Sequence, residues 1–286
     1  MRRLANRSTV LGGAIFALVV VIGLLAPVLA TTDPAQIDPT VRNQRPGAER
    51  TVRAHDGRPR VVKVWMGTDT LGRDVYSRVV YGARISLVVG VTVAIASAVL
   101  GLLIGLLAGY LRWLDAIVMR VMDGLMAIPS ILLAIGLVSL SRAGLRSVIL
   151  AIVIPEVPRV VRLVRALVLS LREEPYVEAA VALGARTPAL LARHVLPNTL
   201  APLVVQSTFV CASAILLEAL LSFLGVGIPP ETPTWGNIMA EGRALFRIFP
   251  HNILFPGVFL AVTVLGVNML GDGLRDMLDP RVRRRL

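Results

Sequence analysis

Asp123, Glu218 and Asn268 stand out because each interrupts a long apolar stretch of the chain. A charge near the centre of a bilayer costs at least about 2.5 to 3.5 kcal/mol on insertion scales, so such groups are expected to face protein or water rather than lipid. For Asp123, Arg120 lies one turn earlier, and helix-spaced ion pairing is favoured over a place in a translocation path. Glu218 has no neutralising partner nearby in sequence and is the stronger candidate for a functional or interhelical polar contact. Other chemistry finds no support. Lys63, the single lysine, sits in Val61-Val62-Lys63-Val64 with no glycine-rich loop and no Ser or Thr after it, so there is no phosphate-binding P-loop. Cys211 is alone, which excludes an internal disulfide or a cysteine metal cluster and leaves it as core filler. His55, His194 and His251 lack metal-ligand spacing, and no nucleophile elbow or Ser/His signature occurs. No catalytic residue, metal site or cofactor of this chain's own is expected.

The elements that must position these groups are membrane helices. Hydrophobic residues make up 55% of the chain, charged residues 17%, and the mean hydropathy is +0.74, too apolar for a soluble domain of this length. Six stretches suffice to span a hydrocarbon core of about 30 Å: Val10 to Ala30, Ile85 to Tyr110, Ala116 to Leu140, Ser147 to Leu169, Thr199 to Leu224 and Asn252 to Leu274. No alternating pattern recurs as a barrel would require, so the fold class is an all-α polytopic membrane protein. Arg2, Arg3 and Arg7 before the first stretch, and Arg281, Arg283, Arg284 and Arg285 after the last, place both termini in the cytoplasm. The segment from Thr31 to Arg84 then lies outside despite its arginines, which are interleaved with acids and sit mostly away from span ends. Arg2-Arg3, an apolar run and Val28-Leu29-Ala30 imitate a secretory signal, but the run from Val10 to Ala26 exceeds the usual core of about 7 to 15 residues and reads as a retained anchor. A pI near 11.3 and a formal charge of +12 fit anionic lipid headgroups and topology, since the basic residues are scattered rather than gathered into a nucleic-acid module. The chain divides into 1–30 (tail and first span), 31–84 (external loop) and 85–286 (a core with five spans, a loop at 170–198 and a cytoplasmic tail).

Within these elements, Gly101, Gly105 and Gly109 offer a close-approach face, read as packing inside the subunit ahead of a subunit interface. Pro129, and Pro155 with Pro158, are expected to bend the third and fourth spans. Asp69 to Arg84 reads as an amphipathic helix capped by Asp69, with Leu71, Val75 and Val79 on one stripe, lying on the outer surface. Asp33 to Lys63 reads as an irregular loop, either a contact for a substrate-delivering protein or a solvated connector.

The loop after the fourth span carries the most specific pattern. Pro175 behind Glu173-Glu174 suits a first helical turn, so a short helix is expected from Pro175 to about Leu183, with Gly184 as its left-handed closing residue. Thr187-Pro188 reads as the N-cap and first position of a second helix. Ala179 and Ala180, with Leu183 and Gly184 one turn later, make a low-relief face that a groove on another protein could receive.

Glu178-Ala179-Ala180, Gly184 and Leu196-Pro197 at this spacing resemble the cytoplasmic coupling loop of ABC importer permeases. The aliphatic position two before Leu196 is His194 here, a variant similar to the peptide and nickel branch. Gly67-Thr68-Asp69, Gly72-Arg73-Asp74-Val75, Tyr81-Gly82-Ala83-Arg84, Leu221-Ser222-Phe223-Leu224-Gly225, Trp235-Gly236-Asn237 and Gly271-Asp272-Gly273-Leu274-Arg275-Asp276 agree with that branch, from about Met66 onward. The likeness is to the second, C-type permease of dipeptide and oligopeptide importers. It implies a homologous permease partner, two cytoplasmic ATPase domains holding ATP and Mg, and an extracytoplasmic binding protein, in the bacterial cytoplasmic membrane. The solute is left open among dipeptides, longer peptides, nickel complexes and oligosaccharides. Two other classes stand as alternatives: an ion-coupled secondary transporter, disfavoured by the few intramembrane ionisable groups, and an intramembrane enzyme, disfavoured by the lack of clustered catalytic groups.

Overall fold

The computed structural model describes residues 7–53, 59–142 and 144–278. Of the terminal arginines used to orient the chain, Arg7 is among them, and Arg2, Arg3, Arg281, Arg283, Arg284 and Arg285 lie outside, as do Asp279, Pro280 and His55. Helix α1 (Arg7–Leu24) is followed by a single turn, α2 (Ala26–Leu29), started by Pro27 in its first turn. The segment between α2 and the next helix holds a 3₁₀ turn (Pro39–Val41) and a pair of strands, β1 (Glu49–Arg53) and β2 (Pro59–Lys63), antiparallel with Glu49 opposite Lys63 and Thr51 opposite Val61. The expected irregular loop is therefore an ordered element. The Arg50 guanidinium is buried, donating to the Gly72 carbonyl at 3.0 Å and to Thr32 Oγ1 at 2.8 Å, and these bonds organise the segment where apolar side chains are scarce.

Helix α3 (Val75–Tyr110) is one 36-residue rod, and the expected separate surface helix from Asp69 is its buried outer end. Asp69 caps nothing. Its carboxylate is taken by the Leu71 and Arg73 amides at 2.8 and 2.9 Å, and Gly72 turns the chain at φ +78, so the N-cap falls to Asp74, which accepts from the Ser77 amide at 2.9 Å. Val75 and Val79 are buried as the stripe required, but so are Arg73, Asp74 and Arg78.

The third apolar stretch is broken. Helices α4 (Arg112–Ala127) and α5 (Ser130–Ser139) meet at 88°. Pro129 forces Ile128 into extended backbone (φ −94, ψ 128), so the bend expected there becomes a complete interruption. By contrast α6 (Leu145–Arg172) runs unbroken through Pro155 and Pro158. Gly101, Gly105 and Gly109 of α3 lie against it: a Cβ on each would stand 2.5, 2.7 and 2.7 Å from the Cβ atoms of Val160, Val164 and Val168. The glycine row thus packs within the subunit.

After α6 come α7 (Pro175–Ala182) and α8 (Thr187–Leu190), which passes through a π turn (Leu191–Val195) into α9 (Leu196–Phe223). Helix α10 (Trp235–Gly242) is capped by Thr234, whose side chain accepts from the Asn237 amide while Asn237 Oδ1 accepts from the Thr234 amide. Finally α11 (His251–Leu278) lies along α1, where Gly12 of α1 and Gly266 of α11 allow close approach. Among the described residues, α1, α3, the run Thr187–Phe223 and α11 are long and apolar enough to cross a membrane, and the bent pair α4–α5 makes a fifth candidate. The remaining helix, α6, is as long but carries Glu156, Arg159, Arg162 and Arg165. One side of it packs into the core, with Ile152, Val160, Val161, Val164 and Val168 fully buried, while Leu150, Arg159 and Arg162 are exposed.

Candidate functional site

The hairpin α7–α8 projects beyond the ends of α6 and α9. Glu174 is the extended residue before α7 and Pro175 fills its first turn. Gly184 closes the helix at φ +80, its amide donating to Val181 O at 2.9 Å and the Ala185 amide donating to Ala180 O at 3.0 Å. Thr187 is the first helical residue and Arg186 the cap, one position earlier than the Thr187-Pro188 reading. Val177, Leu190 and Val195 turn inward and are buried, which the motif does not signal because it records only outward-facing positions. Glu178 and Ala179 are exposed, Ala180 is half-buried, and Leu183 at the tip is 89% exposed.

His194 is half-buried with its ring 6.3 Å from that of Tyr176, and Asn198 Nδ2 donates both to Tyr176 Oη at 3.2 Å and to His194 O at 2.7 Å. Asn198 therefore ties α7 to the root of α9, and the His194 ring packs beside the Tyr176 ring it holds. Leu196 and Pro197 form the first turn of α9. Because α8, the π turn and α9 are continuous, the hairpin is joined to a membrane helix without a flexible link.

The three intramembrane polar groups are not brought together. Asp123 pairs with Arg162 of α6 at 2.6 Å rather than with Arg120, since α6 lies alongside α4 and Arg120 is exposed. Glu218 is fully buried, accepting from Ser222 Oγ at 2.8 Å and from Ser86 Oγ of α3 at 3.4 Å, so it is an interhelical contact. Asn268 is half-buried in α11. Sequence reading missed Glu156, which is buried in α6 and accepts from Ser213 of α9 at 3.0 Å and from Arg159 at 3.1 Å; the Glu156/Arg159 spacing was the available signal. It also missed Asp115, which binds Arg165 at 2.6 Å.

At the outer end, the recurrent Gly-Thr-Asp, Gly-Arg-Asp and Trp-Gly-Asn blocks converge on one ionic cluster. Arg73 pairs with Asp69 at 2.7 Å and with Glu241, Arg78 lies 3.4 Å from Glu241 and 3.8 Å from Asp69, and Trp235 Nε1 donates to Val79 O at 3.0 Å. Burial pushes the Glu241 carboxyl above the ordinary carboxylate range, and the Arg78 and Arg73 guanidiniums pull it back. Beside the cluster an open cavity of about 540 Å³ is lined by Ser139, Ser222, Pro230, Asn237 and Glu241.

A bundle of long apolar helices with an exposed hairpin at one end and an ionic cluster toward the other marks an integral membrane protein. Residues 97–284 match the family model "Binding-protein-dependent transport system inner membrane component", and residues 2–46 match "N-terminal TM domain of oligopeptide transport permease C". Relatives include a probable peptide ABC transporter permease protein, y4tQ, of Sinorhizobium fredii, 55% identical over 99% of this chain and 93% of its own length. The dipeptide transport system permease protein DppC of Alkalihalophilus pseudofirmus is 40% identical over 97% and 87%. The glutathione transport system permease protein GsiD of Escherichia coli is 46% identical over 77% and 73%. In fold, the chain is similar to a chain of the inward-facing MetNI methionine ABC transporter, with a TM-score of 0.56 and 21% identity over 71% of this chain and 97% of that one. The chain belongs to the binding-protein-dependent inner membrane component family and is an ABC importer permease, a multi-pass protein of the bacterial inner membrane.

Proposed function

We propose that this permease forms half of a pathway for peptides, beside a homologous permease, and is driven through its α7–α8 hairpin by two cytoplasmic ATPase domains that bind ATP and Mg. An extracytoplasmic binding protein delivers the solute to the outer face. In this reading six helices cross the bilayer, with α6 among them and both termini cytoplasmic. The observation that carries the coupling role is the continuity of α8, the π turn and α9: once the α7 face bearing Glu178, Ala179 and Leu183 displaces α8, no further loop lies between α8 and the bundle. Closure of the ATPases would displace the hairpin, and rigid helices would convert that displacement into alternating outward and inward openings. The peptide solute rests on the names carried by the relatives above.

The test is uptake and ATP hydrolysis by the complete importer in liposomes. Glu178→Lys or Gly184→Pro is expected to insert normally while ATP hydrolysis no longer drives uptake. Either variant sustaining wild-type coupled uptake overturns the hairpin's role.

A further inference from the structure

Arg159 stands at the middle of α6, and two neighbours fix its depth independently. The adjacent Val160 lies against Gly101, inside the apolar run of α3, and Glu156, which holds Arg159, binds Ser213 in the middle of α9. Yet the Arg159 side chain is 45% exposed. One turn toward the hairpin, Arg162 is 44% exposed and its partner Asp123 56%. Ala166 continues the same exposed stripe, whereas Ile154 and Leu150 occupy the far side of α6. Arginines so placed do not face hydrocarbon, because the penalty for a charge at this depth applies to each of them.

We infer that the face of α6 carrying Arg159 and Arg162, with Asp123 of α4 beside it, is the mid-membrane wall of an aqueous conduit and that it suits zwitterionic solutes with free amino and carboxylate ends. The second half of this inference rests on the peptide reading above. Arg159 uses only Nη1 for Glu156, at 3.1 and 3.2 Å to the two oxygens, which leaves its remaining guanidinium donors for a carboxylate. Asp123 uses Oδ1 for Arg162, which leaves Oδ2 for an ammonium. The two pairs Glu156–Arg159 and Asp123–Arg162 carry no net charge, so the wall offers partners to both ends of a zwitterion without trapping a lone ion. Binding that weak is what passage requires.

The experiment uses the complete importer in liposomes, with Cys211→Ala in this chain removing its one native thiol. Ala166→Cys is expected to react with a membrane-impermeant, sulfonate-bearing methanethiosulfonate about tenfold or more faster than Ile154→Cys, since a thiol in apolar surroundings forms less thiolate. Equal rates at the two positions overturn the conduit wall. In the second arm, dialanine is the transported probe. Arg159→Gln and Asp123→Asn are each expected to lower its uptake about tenfold, the scale of one charge-assisted hydrogen bond. Wild-type uptake of dialanine by both variants overturns the solute contact. If the unsubstituted importer takes up no dialanine, the peptide reading and the zwitterion contact fail together, while the labelling rates still decide the wall.

Discussion

Arg78 of α3 and Glu241 of α10 meet 3.4 Å apart behind the outer cavity, and the Arg78 side chain has no exposed surface at all. Its guanidinium also reaches Asn237 Oδ1 at 3.4 Å and lies 3.8 Å from Asp69, so a flat, branched cation is held among three segments. Removing one partner from such a buried cluster leaves charge uncompensated. Arg78→Leu is expected to lower stability by about 3 kcal/mol, read as a fall in the thermal midpoint of the purified protein in detergent. All the hydrogen bonds of Arg78 leave from Nη2, so Arg78→Lys, which keeps the charge and one donor group, is expected to recover part of that loss. A lysine variant no more stable than the leucine variant would show that the shape of the guanidinium, and not its charge, holds the cluster.

The α3–α6 contact gives a second prediction. Gly105→Ala places a methyl group 2.7 Å from Val164 Cβ and is expected to cost about 1 to 3 kcal/mol. Adding Val164→Gly, which removes the crowded Cβ, is expected to relieve that clash beyond its own cost as a helix glycine, and a double-mutant cycle on the unfolding midpoints measures the coupling. Strictly additive effects would mean the two helices separate more easily than their packing indicates.

Glu218 can be separated from the conduit. Because it binds the hydroxyls of Ser86 and Ser222, with Thr234 also against it, and has no exposed surface, Glu218→Gln is expected to keep uptake at matched expression within about twofold. Glu218→Leu strands both hydroxyls and is expected to destabilise the protein by about 1 to 3 kcal/mol. A transport defect in the glutamine variant with unchanged stability would return Glu218 to the solute path.

The hairpin's fastening is open to proteolysis. Tyr176→Ala removes the ring beside His194 and the acceptor for Asn198, while the inward anchors Val177 and Leu190 remain. Limited trypsin digestion is expected to cut at Arg186 and Arg193 several-fold faster than in the unsubstituted protein, with the rest of the bundle intact, because local opening governs cleavage at exposed loops. An unchanged cutting rate would assign the rigidity of the hairpin to its buried anchors alone.

Long apolar runs made the helices legible, and Pro175 and Gly184 made the hairpin legible, because both signals are local. What escaped was settled by distance in the chain. Asp69 looked like a helix cap, yet its oxygens are taken by Leu71, Arg73 and the Arg73 side chain, a turn that Gly72 permits. Asp123 had a neighbour of the right sign in Arg120, but Arg162, on another helix, lies closer to it in space. Pro129 was visible as a bend; that the chain breaks by 88° depends on Ile128 taking extended backbone with no neighbouring helix to re-form the lost bonds. The outer ionic layer shows the same limit most clearly. Its blocks were recognisable one by one, and nothing local said that Arg73 belongs with Glu241.

That pairing spans 168 positions along the chain. During synthesis, Arg73 and Arg78 emerge long before Glu241 exists to receive them, so a partly made chain carries two arginines at a site built to be sealed. Until α10 is made, Asp69 is the one carboxylate of the cluster available to both arginines, so this layer can be completed only when most of the chain has been synthesised.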